Sequence, residues 1–197
     1  LGARPTAMFK SERPTIWPDA AHLRTYERKT KATQAQLKRA AESIRGAQRP
    51  LFIWGGGVIM ADAAGEVTAL ARELSSPVTS TFMGLGSFPG DDPLWLGMLG
   101  MHGTAYANKA VMDCDLLIAV GARFDDRVTG KLEAFAPNAK VIHIDIDPTS
   151  VSKNVQVQFP VIGCVKNIFE QLLPLLEERA RTPWLEQSAA WKRDFPR

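Results

Sequence analysis

Two arginines and two aspartates stand within five residues, directly after an apolar run. The segment "GARFDDRVTG" (residues 121–130) follows "DLLIAV" and contains Arg123, Asp125, Asp126 and Arg127. A guanidinium can form paired hydrogen bonds with a pyrophosphate or stack on a flat ring, and a neighbouring carboxylate can fix its orientation. The alternative is a solvated cluster of ion pairs, which is the commoner outcome for such a motif in isolation. Whether this segment does chemistry depends on what the fold places beside it.

Glycines and aspartates follow other apolar runs in the same way. Three glycines (residues 55–57) follow "LFIW", and "HIDID" contains Asp145 and Asp147. Glycine lets a backbone approach a ligand, and a following helix N-terminus offers N–H groups suited to phosphate, but for "GGG" on its own a plain turn is the favoured interpretation. Asp145 is either a ribose ligand or a structural residue, whereas Asp147 before Pro148 is better explained as a turn or cap residue.

A standard NAD site is disfavoured by this spacing. The chain has no GxGxxG, and Asp145 lies about ninety residues beyond the glycines, against roughly 20 in the NAD fingerprint. Another mode of dinucleotide binding stays open. His102 lies between glycines in "GMLGMHG" (residues 97–103), where methionine and glycine neighbours suggest a flexible wall against a flat ligand.

The sequence shows no catalytic or metal-binding constellation. It contains no GxSxG, Walker loop or HExxH, and its three histidines lack HxxxH spacing. Cys114 and Cys164 are too few for a disulfide framework or a CxxC metal site, so a reducing compartment is the default. We therefore predict no catalytic residue and no metal ligand on this chain.

The elements that must position these residues alternate between short apolar runs and amphipathic segments. Strands are predicted in "LFIW", "PVTSTF", "DLLIAVG", "KVIHIDI" and "FPVIG", and helices in "TQAQLKRAAESIRGAQ", "ADAAGEVTALARELSS", "TAYANKAVMDC" and "VKNIFEQLLPLLEERA". This alternation is typical of an α/β fold, a doubly wound, mostly parallel Rossmann-like sheet of about six strands with helices on both faces. Ligands of such sheets bind at the carboxyl ends of the strands.

Composition and charge exclude several classes of protein. The chain has 197 residues, 45% of them hydrophobic, and a net charge of +3, which suits a globular protein. No apolar run approaches the roughly 18 residues that span a bilayer, and the first residues lack the basic-then-apolar order of a signal peptide, so no membrane partner is predicted. The basic excess lies in the first fifty residues, but its scattered charges predict a solvated linker rather than a nucleic-acid surface.

The predicted organisation has three parts. Residues 1–31 are rich in proline and charge and form a linker or arm, residues 32–181 form the globular domain, and residues 182–197 form a C-terminal linker or helix. The chain begins with leucine rather than methionine. We therefore expect it to be a piece of a longer protein.

Taken in order, the strand-end motifs resemble one family, the central domain of the acetohydroxyacid (acetolactate) synthase large catalytic subunit. The matching stretches cover about residues 33–175: "RPLFIWGGGVI", "TFMGLGSFPGDDP", "LGMLGMHGTAYAN", "DLLIAVGARFDDRVTGKLEAFAPNAKVIHIDIDP" and "VIGCVKN". The combination of "GARFDDRVTGKLEAFAP" with "HIDID" is far more specific than any single glycine loop.

The resemblance implies a thiamine-diphosphate enzyme of branched-chain amino-acid synthesis. Such an enzyme condenses pyruvate with pyruvate or 2-ketobutyrate, and its central domain holds FAD, which takes no net redox part in the reaction. Thiamine diphosphate and Mg²⁺ belong to the full-length enzyme, because the catalytic glutamate and the "GDG" and "NN" segment that binds the diphosphate are absent from this sequence. The chain alone is therefore expected to be inactive.

The resemblance also implies partners, a location and a set of cofactor contacts. The partners are the remaining domains of the same subunit, further copies in a homodimer or homotetramer, and a regulatory subunit, in the cytoplasm of a bacterium or in a plastid. Asp126 and Arg127 are implied to face the substrate channel. The implied FAD contacts are Gly56, Thr81, Phe82, Met83, Gly84, Leu99, Gly100, Met101, His102, Gly121, Ala122, Arg123, Asp125, Arg127, Val128, Asp145, Ile146, Cys164 and Val165.

Two positions depart from the family pattern, and two other classes of protein stay open. Cys164 stands where the family has an aspartate in "GDVK", and Phe82 stands where leucine is common. The first alternative is the central domain of another thiamine-diphosphate enzyme, such as glyoxylate carboligase or pyruvate oxidase. The second is a non-catalytic nucleotide-binding or structural module.

Overall fold

The computed structural model describes residues 31–196, so the predicted arm falls, apart from Lys31, outside the described residues. Within this range six strands form one open sheet, in which every neighbouring pair is parallel and the order is β3-β2-β1-β4-β5-β6. The strands are β1 (Pro50–Trp54), β2 (Val78–Ser80), β3 (Trp95–Met98), β4 (Leu116–Val120), β5 (Lys140–Asp145) and β6 (Phe159–Ile162). The predicted doubly wound α/β fold is confirmed.

Seven α-helices connect or flank these strands within the described residues. They are α1 (Gln34–Gly46), α2 (Gly56–Met60), α3 (Ala64–Glu73), α4 (Ala105–Asp113), α5 (Asp126–Thr129), α6 (Val165–Leu172) and α7 (Thr182–Asp194). Within residues 31–196, no helix is long and apolar enough to cross a membrane. Helix α1 begins with a capping box, in which the Thr33 hydroxyl accepts from the Gln36 N–H and the Gln36 side-chain oxygen accepts from the Thr33 N–H.

The sheet is covered on both faces, which explains why its central strands are continuously apolar. Phe52 and Trp54 of β1 pack in one hydrophobic cluster with residues of α1, α3 and α6. Leu51 and Ile53 of the same strand pack in a second cluster with residues of α4 and α7. Successive side chains of a strand point to opposite faces, so a strand buried twice carries no polar alternation.

The sequence patterns missed β3, which lies at one edge of the sheet. It is four residues long, contains Gly97 at φ 77°, and its register with β2 shifts between Val78 and Ser80. A short edge strand with a glycine and a bulge lacks the continuous apolar run of a central strand. Its contribution is to carry residues 99–103 to the edge where the other strands end.

Two of the three glycines after β1 have a packing role, and the ligand approach predicted for this segment stays a prediction. The chain enters α2 directly at Gly56, and the N–H groups of Gly55 and Gly57 donate to the carbonyls of Val120 and Gly121 (2.9 and 3.0 Å). A Cβ on Gly57 would lie 2.6 Å from the Gly121 Cα. Gly55 and Gly57 let the backbones after β1 and β4 pass each other, at the point where the strand order reverses.

The last helix packs onto the body of the domain. Trp184 of α7 is buried, and its indole N–H donates to the Pro50 carbonyl at the start of β1 (2.8 Å). The Trp184 ring also meets Trp191 edge to face, with centroids 5.8 Å apart. The predicted helix in the C-terminal segment is therefore present, while the three-part division at residues 31 and 181 stays a prediction.

Candidate functional site

The residues that the resemblance marks as cofactor contacts all follow the carboxyl end of a strand. Gly56 follows β1, residues 81–84 follow β2, residues 99–102 follow β3, residues 121–128 follow β4, residues 145–146 end β5, and residues 164–165 follow β6. Because all six strands are parallel, these ends lie along one edge of the sheet. Strands spaced about 4.8 Å apart make this edge roughly 24 Å long, which suits an elongated dinucleotide.

The segments after β3 and β4 are in direct contact across this edge. The Met101 N–H donates to the Arg127 carbonyl (3.1 Å), and the Arg127 guanidinium lies 3.8 Å from the Met101 Sδ. Gly100 adopts φ +90°, and a Cβ there would collide with the same Arg127 carbonyl. The two segments therefore form one continuous wall, although β3 and β4 are separated in the sheet by β2 and β1.

The four charged residues after β4 form two exposed ion pairs. Arg123 lies 3.3 Å from Asp125, and Arg127 lies 3.8 Å from Asp126, with all four side chains more than half exposed. Exposed pairs of this kind contribute at most about 1 kcal/mol each to stability. The fold therefore does not depend on them, and both guanidinium groups can pair with an anionic ligand at little cost.

Large apolar side chains are exposed beside these charges. The exposed fractions are 73% for Phe82, 70% for Met83, 64% for Met101 and 43% for Ile146. Phe82 and Met83 follow β2, Met101 follows β3 and Ile146 follows β5. These side chains therefore border the same edge of the sheet. An apolar border next to arginines is a surface that a flat, negatively charged ligand or another domain would cover.

Asp145 is nearly buried at the end of β5 and keeps hydrogen-bonding capacity. Its Oδ1 accepts from the Asp147 N–H (2.9 Å), and its Oδ2 lies 3.7 Å from the His143 Nε2. A carboxylate offers about four acceptor positions, so Asp145 can still accept from a ribose hydroxyl. Its carboxylate therefore suits the predicted ligand role.

Asp147 is the turn residue that the sequence indicated. Its carboxylate accepts from the Thr149 N–H (2.9 Å), the Thr149 hydroxyl (2.7 Å) and the Ser150 hydroxyl (3.0 Å). The Thr149 hydroxyl is the largest of the causes that hold the pKa of Asp147 below its usual value. These bonds stabilise the backbone beyond β5 and leave the ligand role to Asp145.

Three polar residues that support the edge were missed by sequence reasoning. Asn108 hydrogen-bonds the backbone of Gly100, His143 pairs with the Ala122 carbonyl (Nε2 to O, 2.9 Å), and Asn154 donates to the Phe124 carbonyl. The sequence did carry one signal, because a histidine between Ile142 and Ile144 breaks the apolar pattern of a buried strand. Such local violations are expected where a fold supports a site.

The two cysteines differ in their environment. Cys114 is fully buried at the C-terminal end of α4, and burial is the main cause that raises the pKa of its thiol to about 12. Cys164 is half-buried at the N-terminus of α6, next to β6 at the same edge as the other candidate residues. Among residues 31–196, no group of three or more His, Cys, Asp or Glu side chains is placed to hold a metal ion.

This difference predicts selective alkylation of the native chain. At pH 8 a thiol with a pKa near 12 is only about 10⁻⁴ ionised, so iodoacetamide should modify Cys164 and leave Cys114 unmodified. Mass spectrometry of the labelled peptides measures both rates, and unfolding in guanidinium chloride should make both thiols reactive. Equal labelling of the two cysteines in the native chain would contradict the buried position of Cys114.

Comparison with known proteins gives a family match and a group of close relatives. The family model described as "Thiamine pyrophosphate enzyme, central domain" matches residues 37–172. The acetolactate synthase large subunit of Haemophilus influenzae is 44% identical over 185 residues, which are 91% of this chain and 32% of that protein. The probable acetolactate synthase large subunit of Methanocaldococcus jannaschii is 48% identical over 173 residues, 86% of this chain and 29% of that protein.

A third relative has a similar sequence identity and a similar share of each chain covered. The acetolactate synthase isozyme 3 large subunit of Escherichia coli is 41% identical over 186 residues, 91% of this chain and 32% of that protein. The chain thus spans about a third of the length of the curated relatives it matches. The match covers the whole sheet and the edge at which the candidate residues meet.

Proposed function

The chain belongs to the central-domain family of the thiamine pyrophosphate enzymes, and we propose that it is the FAD-binding central domain of an acetolactate synthase large subunit. One observation carries the flavin proposal. Residues after all six strands, drawn from six separate parts of the sequence, meet at one edge of a parallel sheet. The reversal of strand order between β1 and β4 lies at the middle of that edge, where α/β sheets bind their ligands.

The chemistry of the edge fits each part of FAD. The exposed Phe82, Met83 and Met101 offer apolar surface to the flavin ring, and Arg123 and Arg127 offer guanidinium groups to the pyrophosphate. Asp145 has acceptor capacity for a ribose hydroxyl. In the acetolactate synthases that the chain resembles, FAD takes no net redox part in the reaction, so the proposed role of these residues is to bind and orient it.

Asp126 and Arg127 are proposed to border the substrate channel as well. Their side chains are 84% and 71% exposed, and Asp126 opens the short helix α5 beyond the cofactor edge. The Arg127 guanidinium can pair with a 2-keto acid carboxylate, and both exposed charges can meet residues of another domain without any change in the core. The catalytic glutamate and the groups that bind thiamine diphosphate and Mg²⁺ are proposed to come from other parts of the subunit.

The activity proposed for the whole protein is the condensation of pyruvate with a second pyruvate or with 2-ketobutyrate. The names of the relatives support it, since each is an acetolactate synthase large subunit. A large subunit implies a smaller regulatory partner, and we propose a homodimer or homotetramer in the cytoplasm of a bacterium or in a plastid. These proposals concern the complete enzyme, of which this chain supplies the middle.

Flavin binding can be tested on the full chain with FAD itself. We expect the fluorescence of FAD to be quenched on titration, and absorbance at roughly 450 nm to stay with the protein through gel filtration. Arg127→Ala should weaken FAD binding by roughly 10- to 100-fold, because a charge-assisted hydrogen bond contributes about 1.5–3 kcal/mol. Lys131→Ala is the matched control, since Lys131 is an exposed cation that pairs with Glu133 beyond the same segment.

Two outcomes would contradict this proposal in different ways. A folded chain that neither quenches nor retains FAD would favour the non-catalytic structural module over a flavin domain. If Arg127→Ala and Lys131→Ala bound FAD with equal affinity, the chain would still have a flavin site, but Arg127 would not be part of it.

A further inference from the structure

The side chain of Asn108 forms two hydrogen bonds with the backbone of a single residue, Gly100. The Gly100 N–H donates to the Asn108 Oδ1 (2.8 Å), and the Asn108 Nδ2 donates to the Gly100 carbonyl (3.0 Å). A side-chain amide that donates and accepts in this way fixes both peptide planes of its partner. Gly100 adopts φ +90°, a conformation that few residues other than glycine hold.

The constraint on Gly100 extends to the segment after β4. Met101 is the next residue, and its N–H donates to the Arg127 carbonyl (3.1 Å). Any rotation of the Gly100 peptide would turn the Met101 N–H away from this carbonyl. Asn108 therefore holds two segments of the proposed flavin edge, one directly and the other through Met101.

Helix α4 does not need Asn108 for its own stability. Thr104 caps the helix by accepting from the Ala107 N–H, and the buried face consists of Tyr106, Ala107, Ala110 and Val111. Asparagine has low helix propensity, so its presence in the first half of a nine-residue helix works against the local structure. Its two hydrogen bonds with Gly100 compensate for this low helix propensity.

We propose that Asn108 is a positioning residue for the cofactor, which holds Gly100, Met101 and Arg127 in the arrangement that binds FAD. This inference rests on the proposed function. Asn108 itself is half-buried behind the segment, and its action is through the backbone of Gly100. The role differs from that of the surrounding residues, which would touch the flavin directly.

The test compares three variants of the full chain by FAD titration. Asn108→Leu deletes both hydrogen bonds, keeps the number and branching of the side-chain heavy atoms and has better helix propensity. Asn108→Ala is a second, smaller variant in case leucine prevents folding. Both are expected to bind FAD roughly tenfold more weakly than the wild type, the scale of one to two lost hydrogen bonds. Val111→Ala, on the buried face of the same helix, should lower the melting temperature and leave the FAD dissociation constant unchanged.

Hydrogen exchange supplies a second readout. The Met101 amide should exchange faster in the Asn108 variants and at the wild-type rate in Val111→Ala, because only the former release the bond to the Arg127 carbonyl. Wild-type FAD affinity in both Asn108 variants would overturn this inference alone. A wild-type chain that binds no FAD would overturn the proposed function, and this inference with it.

Discussion

Alanine at Gly121 is expected to lower the free energy of unfolding by about 3 kcal/mol. Gly121 adopts φ +54°, which costs a residue with a Cβ about 1–2 kcal/mol. The added Cβ would also lie 2.6 Å from the Gly57 Cα and 3.0 Å from the Val58 nitrogen. Both neighbours are backbone atoms at the start of α2, so no side-chain rotation relieves the contact, and overpacking adds about 1–3 kcal/mol.

Urea denaturation of Gly121→Ala measures this effect, and Gly65→Ala is its matched control. Gly65 lies in α3, and a Cβ there meets no heavy atom within 4 Å. The control should therefore gain about 0.5–1 kcal/mol from helix propensity. A free energy of unfolding for Gly121→Ala within about 1 kcal/mol of the wild-type value would contradict the close contact between the backbones after β1 and β4.

Replacing Arg181 by methionine is expected to cost about 3 kcal/mol of stability. Arg181 is 3% exposed, and its guanidinium donates to carbonyls at the ends of α1 and α3, those of Ile44 (3.0 Å), Ala47 (3.2 Å) and Leu74. A cation at helix C-termini is favourable, and each buried carbonyl left without a donor costs about 1–3 kcal/mol. Methionine keeps an apolar stem and removes both the donors and the positive charge.

The charge of Arg181 does not titrate near neutral pH. Burial, followed by the nearby Arg179, lowers the pKa of Arg181 to about 10, so the guanidinium is charged at pH 7 in both the folded and the unfolded chain. Its contribution to stability should therefore be constant between pH 6 and 8. Arg193→Met, at an exposed position in the last turn of α7, is the control and should unfold like the wild type. Equal stability of the two variants would contradict the role of Arg181.

The central strands and most helices could be predicted because the pattern of apolar residues within each segment indicates which of its faces are buried. The runs "LFIW" and "LLIAV" are apolar without interruption, since β1 and β4 are covered on both faces. The run "KVIHIDI" of β5 is mostly apolar, with His143 as the polar residue in its buried middle. The parallel arrangement then follows from the alternation with helices, and it places every strand end at one edge. For this reason the order of the motifs along the chain is enough to predict that their residues meet.

The remaining features depend on contacts between distant parts of the chain. Arg181 lies 134 residues from Ala47. No local sequence pattern indicates that a single arginine donates hydrogen bonds to the carbonyls at the ends of two distant helices. The packing role of Gly57 against Gly121 likewise becomes visible only when both loops are in place. The segment "RFDDR" is ambiguous in sequence and exposed in structure, so its identification as a flavin site rests on family resemblance together with position.

The most direct test of the flavin site uses Cys164 as a natural reporter. Cys164 follows β6 at the proposed edge, while the buried Cys114 provides an internal reference. The rate of Cys164 alkylation should fall as FAD is added, with half-maximal protection at the dissociation constant found by fluorescence titration. Alkylation of Cys164 at an unchanged rate, at FAD concentrations that saturate the chain, would show that the dinucleotide does not lie along this edge.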